Sequence, residues 1–377
     1  MQPTHKYLSN LTPLRGIAAL WVVVFHFSEI GAKFISTSQS LLLTKGYLMV
    51  DLFFIMSGFI IYHVYHKSFA ADYSGNFRQF IVARFARVYP LHVITLMLCI
   101  VIFVPMFGWN PLINNPRAIP TNLLLIHSFG IHKLFNWNVP SWSISAEWWA
   151  YMVFPFLAIF MYRKKKAAVS LLSLFAVLAY LAIMFWIPRV NAFDPSLPHR
   201  QNLDVTFDYG FLRGLAGFIT GMILYKVYEA GYLAKVFQKD VTALIITTAC
   251  ILCMHFGWND GFDIILFVLL VLAFSLNNER LHLLCNIRIA QYLGKISYSI
   301  YLMQLFPLIP LWSGIKLPGL IYAEHSASAS FWTGAGYCLI YVILVVSVAS
   351  LTYFTIEKPS RKYINERWGK ERMPVYA

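Results

Sequence analysis

Apolar positions in this chain gather into long runs, with polar residues mostly confined to the gaps between them. Ten runs stand out, at about 13–30, 47–65, 90–107, 142–162, 167–187, 210–228, 241–257, 261–276, 296–312 and 331–355. A helix needs roughly 20 such residues to cross a hydrocarbon core about 30 Å thick, and these runs approach or exceed that length. The pattern predicts an all-α polytopic membrane protein with about ten transmembrane helices. An eleventh run, 121–130 ("TNLLLIHSFG"), is too short to span and suits a short re-entrant or interfacial helix. No linker or low-complexity stretch interrupts the series, so residues 1–377 read as a single transmembrane domain.

Composition supports the membrane reading: 59% of residues are hydrophobic and 12% charged, about half the charged share of a soluble domain. The first run follows a short basic segment, as a secretory signal would. Trp21, His26 and Glu29, however, stand where a signal needs a uniform apolar core and a small-residue cleavage site, so an uncleaved helix is expected. Charge then chooses the sides. With ten spans and both termini cytoplasmic, inner segments hold 22 of the 30 Lys and Arg residues and outer segments hold 7 (Lys33, Lys45, Arg117, Lys133, Arg189, Arg200 and Lys316). Arg213 falls inside a helix. Counting 121–130 as a span would put the run Arg163 to Lys166 outside, against the tendency of cytoplasmic loops to collect Lys and Arg. The net charge of +14 is thereby explained by attraction to anionic inner-leaflet lipid, with no nucleic-acid partner expected. The five cysteines lie in or beside apolar runs. Cys250 and Cys253 form a CxxC with no second pair, so they read as small buried hydrophobes and no metal site is expected.

Against this background a few ionisable residues are out of place. One near the bilayer centre costs about 2.5 to 3.5 kcal/mol on insertion scales, so each needs a partner, a water-filled cavity or a function. In "LRGIAALWVVVFHFSE", Arg15 and His26 are eleven residues apart, which is three turns plus about 20°, so they share a face about 16 Å apart along the axis. Arg15 can be a cytoplasmic anchor and His26 a structural histidine, although histidine is also the side chain suited to exchange protons near neutral pH. Asp51 opens "DLFFIMSGFII", where a carboxylate at a helix N-terminus is favoured by the dipole. Ser57 and Gly58 in the same helix offer a small surface for close packing. The inner loop "RQFIVARFARVYPLH" carries Arg84 and Arg87 on one face, fit for phosphates or for lipid headgroups. Glu147 lies among Trp142, Trp148, Trp149 and Tyr151, where aromatics alone would make an ordinary interfacial belt.

At these residues the chain resembles the acyltransferase-3 family of integral membrane O-acyltransferases, almost from end to end. Arg15 and His26 match its arginine, ten residues, histidine signature, and "GYLMVDLFFIMSGFII" its second-helix block. Arg84, Arg87 and Pro90 match its arginine-rich inner loop; "SWSISAEWW" with Phe154 and Pro155 matches its Trp-Ser, Glu, Phe-Pro block. Arg213 with Gly217 and Gly221, "LGKISYSIYLMQ" and "EKPSRK" resemble three later blocks. One position departs: the Ser-Tyr block often ends in histidine where this chain has Gln304, which hydrogen-bonds but cannot carry a proton at neutral pH.

The resemblance implies a membrane O-acyltransferase in the cytoplasmic (inner) membrane of a bacterium. It implies cytoplasmic acyl-CoA as co-substrate, acetyl-CoA being the expected one, with no permanently bound cofactor. The implied acceptor is a hydroxyl on an extracytoplasmic glycan or glycolipid, lipopolysaccharide O-antigen or exopolysaccharide first, with peptidoglycan and secreted small molecules also open. On this reading Arg84 and Arg87 hold the CoA phosphates, Arg15 guides the pantetheine arm and His26 takes the hydroxyl proton. Glu147 orients that imidazole or holds the acceptor, and Tyr301 donates to the oxyanion. Asp51, Ser57, Trp142, Ser143, Arg213 and Gln304 form a structural or acceptor-side group. The chain ends about 20 residues after the last apolar run, so a stand-alone member without a fused hydrolase-like domain is expected. The alternative is a transporter or flippase, which would also need buried charge but would consume no acyl-CoA; no internal repeat of the kind many transporters carry is evident.

Overall fold

The apolar runs become helices in a computed structural model that describes residues 7–71, 73–110, 114–187, 202–312, 316–323 and 326–369. Lys6, Arg189, Arg200 and the two basic residues after Gly369, all part of the charge count above, lie outside the described residues. In chain order the helices are α1 (Leu11–His26), α2 (Met49–Ala71), α3 (Tyr73–Phe107), α4 (Ala118–Leu123), α5 (Trp142–Leu181), α6 (Gly210–Ala230) and α7 (Ala234–Phe237). There follow α8 (Asp240–Phe256), α9 (Asp260–Leu276), α10 (Arg280–Cys285), α11 (Arg288–Lys295), α12 (Ser297–Met303), α13 (Ile309–Trp312), α14 (Phe331–Thr352) and α15 (Lys358–Trp368). Two three-residue strands, Ile321–Ala323 and Ser326–Ser328, pair antiparallel between α13 and α14. The protein is an all-α polytopic membrane protein. Among the described residues six helical stretches are long and apolar enough to cross a bilayer, and shorter apolar helices such as α8 accompany them.

The runs 142–162 and 167–187 form two helices, together labelled α5, that meet at a kink at Lys165 (φ 35°), inside the basic Arg163 to Lys166 segment that the charge pattern places between spans. The expected inner loop around Arg84 is likewise helical. Both arginines sit within α3, which continues through Pro90 and Pro105.

The centre of the bundle is where α2, α5 and α6 cross. Phe59, Phe80, Phe154 and Phe218 are fully buried there. The crossing is close because glycines face carbonyls: a Cβ on Gly58 would collide with the Phe218 carbonyl, and one on Gly221 with the Ile55 carbonyl. Small residues at such a contact let backbones approach when no hydrophobic drive separates helix from lipid. The Ser57–Gly58 surface read from sequence is this contact. A second core, with Val23, Ile300 and Val345 fully buried, joins α1, α12 and α14.

The short run at 121–130 folds back along α3. Tyr89 on α3 donates to the Leu123 carbonyl at 3.1 Å, and His92 Nε2 meets the Asn122 carbonyl at 2.9 Å. His92 lies fifteen residues before the end of α3, about 23 Å along its axis. The segment must therefore double back beside the helix to reach it. It is held from the other side by α5, where Ser145 and Trp149 both donate to the Leu125 carbonyl. Its backbone groups are thus satisfied by protein, as non-helical chain at membrane depth requires.

Candidate active site

The helices line a partly open cavity of about 80 Å³ whose wall carries Arg15, Arg84, Arg87, Glu147, Ser57 and Tyr301. Five of the residues singled out for chemistry thus meet in one place, from α1, α3, α5 and α12. The three arginines are not equivalent. Arg87 is paired with Glu357 at 2.6 Å, and the second oxygen of that carboxylate accepts from Ser299 at 2.7 Å. Arg84 has no carboxylate. Its guanidinium lies over the rings of Tyr65, Phe80 and Tyr151 at 5.6, 5.9 and 5.7 Å. It donates only to Tyr65 at 3.3 Å, and its Nε finds no partner among the described residues. Arg15 makes no hydrogen bond or ion pair among the described residues, although it faces the same cavity. Two cations therefore point into the space with their donors unspent.

Glu147 stands opposite them without a cation within 4 Å among the described residues. Its Oε1 accepts from Ser57 at 2.9 Å and from Tyr151 at 2.5 Å. Of the two roles expected for it, orienting the imidazole falls elsewhere: the side chain on His26 is Gln304. His26 Nδ1 lies 3.0 Å from the Val22 carbonyl and 3.1 Å from Gln304 Oε1. The Gln304 amide is itself fixed, because its Nε2 donates to the Tyr301 carbonyl at 2.8 Å. Both neighbours of Nδ1 are acceptors, so Nδ1 carries the proton and the lone pair of the neutral ring is on Nε2. His26 is half-buried and is not part of the arginine cavity wall. The turn from Tyr301 to Gln304 links the two, with Tyr301 facing the cavity and Gln304 holding the imidazole. Ser143 Oγ donates to the Tyr301 hydroxyl at 2.8 Å, which leaves the phenolic proton available for a bond of its own.

Asp51 and Arg213 form a separate, closed unit. Arg213 grips both carboxylate oxygens through Nε (3.0 and 3.2 Å) and Nη2 (2.6 Å), and its remaining donors reach the Val205 and Tyr47 carbonyls at 3.0 and 2.9 Å. Trp142 lies over the guanidinium at 5.3 Å. Both charges are fully buried. Asp51 stands in the first turn of α2, where a carboxylate was expected, and its pairing with Arg213 also ties α2 to α6.

A family model described as "Acyltransferase domain" matches residues 9–354. The chain belongs to this family. Its relatives include the putative peptidoglycan O-acetyltransferase YrhL of Bacillus subtilis, 25% identical over 95% of this chain and 55% of the relative. The peptidoglycan O-acetyltransferase OatA of Listeria monocytogenes is 22% identical over 95% of this chain and 56% of the relative. The acyltransferase MdmB of Streptomyces mycarofaciens is 30% identical over 41% of this chain and 40% of the relative. The chain thus spans about half the length of the peptidoglycan-directed relatives it matches. No solved structure matches it significantly.

Within this acyltransferase domain the sequence reading passed over several residues. Glu357 stood in the quoted "EKPSRK" segment but was given no partner; its burial beside Arg87 is a tertiary fact with no local signal. Lys45, counted only as an outer loop charge, is buried against Asp260 and Asp263 at 2.8 and 3.3 Å, and also donates to the Trp258 carbonyl. Two acids three residues apart at the head of an apolar run were a visible hint. Cys250 and Cys253 are buried free thiols.

Proposed function

We propose that the protein is a membrane O-acyltransferase that moves an acetyl group from cytoplasmic acetyl-CoA to a hydroxyl of an extracytoplasmic glycan in a bacterial inner membrane. The observation that carries the donor half is the cavity in which Arg84 and Arg15 keep donors without a direct partner among the described residues, with the Glu147 carboxylate more than 4 Å away. A membrane-embedded cation with unsatisfied donors is costly, and the phosphates of an acyl-CoA would relieve that cost through charge-assisted hydrogen bonds to Arg84 and Arg15. Arg87, already neutralised by Glu357, contributes shape more than charge. For the acceptor, relatives named as peptidoglycan O-acetyltransferases favour a cell-wall glycan over lipopolysaccharide.

The chemistry follows from the hydrogen bonds at His26. The acceptor O–H gives its proton to His26 Nε2 as its oxygen attacks the thioester carbonyl. The tetrahedral oxyanion accepts from Tyr301, whose orientation Ser143 fixes. Collapse breaks the carbon–sulfur bond, the imidazolium returns the proton to the leaving thiolate, and ester and CoA are the products. Glu147, on Ser57 and Tyr151, shapes the cavity wall facing the arginines. A flippase would use the same cavity without consuming acetyl-CoA.

The test is His26→Ala, compared with the parent in cells lacking the gene. Base-labile acetate on the surface glycan should vanish while the protein accumulates normally in the membrane. Full acetylation by the variant would remove His26 as the base, and glycan lacking acetate even with the parent protein would remove the acyltransferase reading.

A further inference from the structure

An open groove of about 860 Å³ lies on the face where the basic residues place the cytoplasm, between the end of α2, the kink of α5 and the end of α6. Part of its lining is apolar, from Met161, Tyr162 and Val169 of α5. Part is cationic: Lys67 of α2 with Lys165 and Lys166 of α5, all exposed and none in a hydrogen bond or ion pair among the described residues. The acid among the lining residues, Glu229, is already held by Lys226 at 2.9 Å, with His66 Nε2 at 3.4 Å. Three lysines thus surround an apolar space with no acid within ion-pair distance. Lys165 itself stands at φ 35°, a region that residues with a side chain rarely adopt.

This groove is distinct from the arginine cavity and shares no lining residue with it. A stack of rings separates the two. His66 stacks on Tyr62 at 5.0 Å, Tyr62 meets Phe154 edge-on at 6.4 Å, and Phe154 meets Phe80 at 5.2 Å, with the Arg84 guanidinium over Phe80 at 5.9 Å. Tyr62, Phe80 and Phe154 are fully buried, so no passage runs between them. A soluble anion in the groove would satisfy the lysines and leave the apolar lining in water; a neutral fatty chain would do the reverse. A phosphate joined to acyl chains satisfies both. Basic pockets between transmembrane helices on the cytoplasmic side have this preference for anionic headgroups. We propose that the groove binds one anionic phospholipid of the inner leaflet, its phosphate on Lys67, Lys165 and Lys166 and an acyl chain along Met161, Tyr162 and Val169. The lipid screens like charges where α2 meets the kink of α5, and so braces that kink. It is a seat for a single molecule, apart from the diffuse attraction of the whole basic face, and it does not rest on the acyl-transfer reading.

The test titrates the purified full-length protein in detergent with phosphatidylglycerol and, separately, with phosphatidylcholine of the same chains, counting retained lipid by native mass spectrometry. One phosphatidylglycerol should be retained in preference to phosphatidylcholine. In the double variant Lys67→Gln with Lys166→Gln its affinity should fall roughly twenty- to thirtyfold, about fivefold for each lysine. Arg163→Gln with Lys164→Gln removes the same charge from the same segment but outside the groove, and should change affinity less than about threefold because exposed charges are screened. Equal retention of the two lipids, or equal losses in the two double variants, overturns the site and leaves only diffuse attraction. Displacement of the lipid by an equal concentration of glycerol phosphate overturns the seat for the chain. Acetyl-CoA affinity of the Lys67→Gln, Lys166→Gln protein should match the parent; its loss would make the groove a seat for the donor's phosphates and overturn the lipid. Should that variant fail to fold, Val169→Trp fills the apolar lining while keeping every cation, and retention of phosphatidylglycerol at the parental level by this variant equally overturns the site.

Discussion

The buried charges of this protein are handled in two opposite ways within one bundle. At Arg213 every guanidinium nitrogen is used: both oxygens of Asp51, two backbone carbonyls and a tryptophan face close around a side chain with no exposed surface. At Arg84 and Arg15 the charges face a cavity with aromatic rings, a single weak hydrogen-bond acceptor and the Glu147 carboxylate out of direct reach. Both arrangements cost desolvation. The first offsets it inside the protein and is complete without a ligand; the second leaves it outstanding until an anion arrives. Sequence position alone does not separate the two, because each is an arginine within an apolar context. The count of satisfied donors does.

The comparison is broken most directly at the closed unit. Removing one partner of a buried ion pair leaves the other charge stranded, a loss of about 3–5 kcal/mol. Arg213→Ala should therefore accumulate poorly and melt far below the parent in detergent. Replacing both members with apolar residues, Asp51→Leu with Arg213→Met, should recover much of that stability, since neither charge then remains buried. A single Arg213→Ala variant that melts with the parent would show that the pair does not hold α2 to α6.

The open unit should behave in the opposite sense. A hydrogen bond to a charged group contributes about 1.5–3 kcal/mol, so Arg84→Gln should weaken acetyl-CoA binding by roughly ten- to a hundredfold with little change in melting. Arg87→Gln should do the reverse. It strands the buried Glu357 carboxylate, so stability falls while acetyl-CoA affinity changes less. Titration of the two variants in nanodiscs, with melting curves beside them, decides the matter. Equal losses of affinity would mean that Arg87 leaves Glu357 for the ligand and that the asymmetry is not functional.

Much of this was legible in advance, and the reasons are physical. Hydropathy located the apolar runs, and basic residues marked Arg163 to Lys166 as a turn, where α5 indeed bends at Lys165. The helical repeat predicts Arg15 and His26 on one face, but Arg15 lines the cavity while His26 turns to Gln304 outside its wall. What could not be read was pairing between elements distant in sequence. Asp51 with Arg213 and Arg87 with Glu357 are separated by 162 and 270 residues, and nothing local announces either. The segment around Arg84 and Arg87 was expected as an inner loop because the apolar run begins only at Pro90, whereas α3 extends back through both arginines to Tyr73.

Gln304 gives the finest test, because it bears on why the site near the arginines is built with a neutral partner for the histidine. An amide oxygen accepting from Nδ1 fixes the ring without adding charge, so the imidazole stays neutral and its Nε2 lone pair remains basic. A carboxylate in the same place would add a negative charge that favours the imidazolium over the neutral ring. A general base acts when deprotonated, so raising its pKa removes activity at higher pH on the acid side. In Gln304→Glu the acid limb of the pH–rate profile should therefore move upward. Gln304→Leu lacks the acceptor altogether and should lower the rate without moving the limb upward. Acetyl transfer measured from pH 5 to 8 separates these outcomes. A rate loss in Gln304→Glu with an unmoved limb would assign Gln304 to packing of the α12 turn rather than to His26.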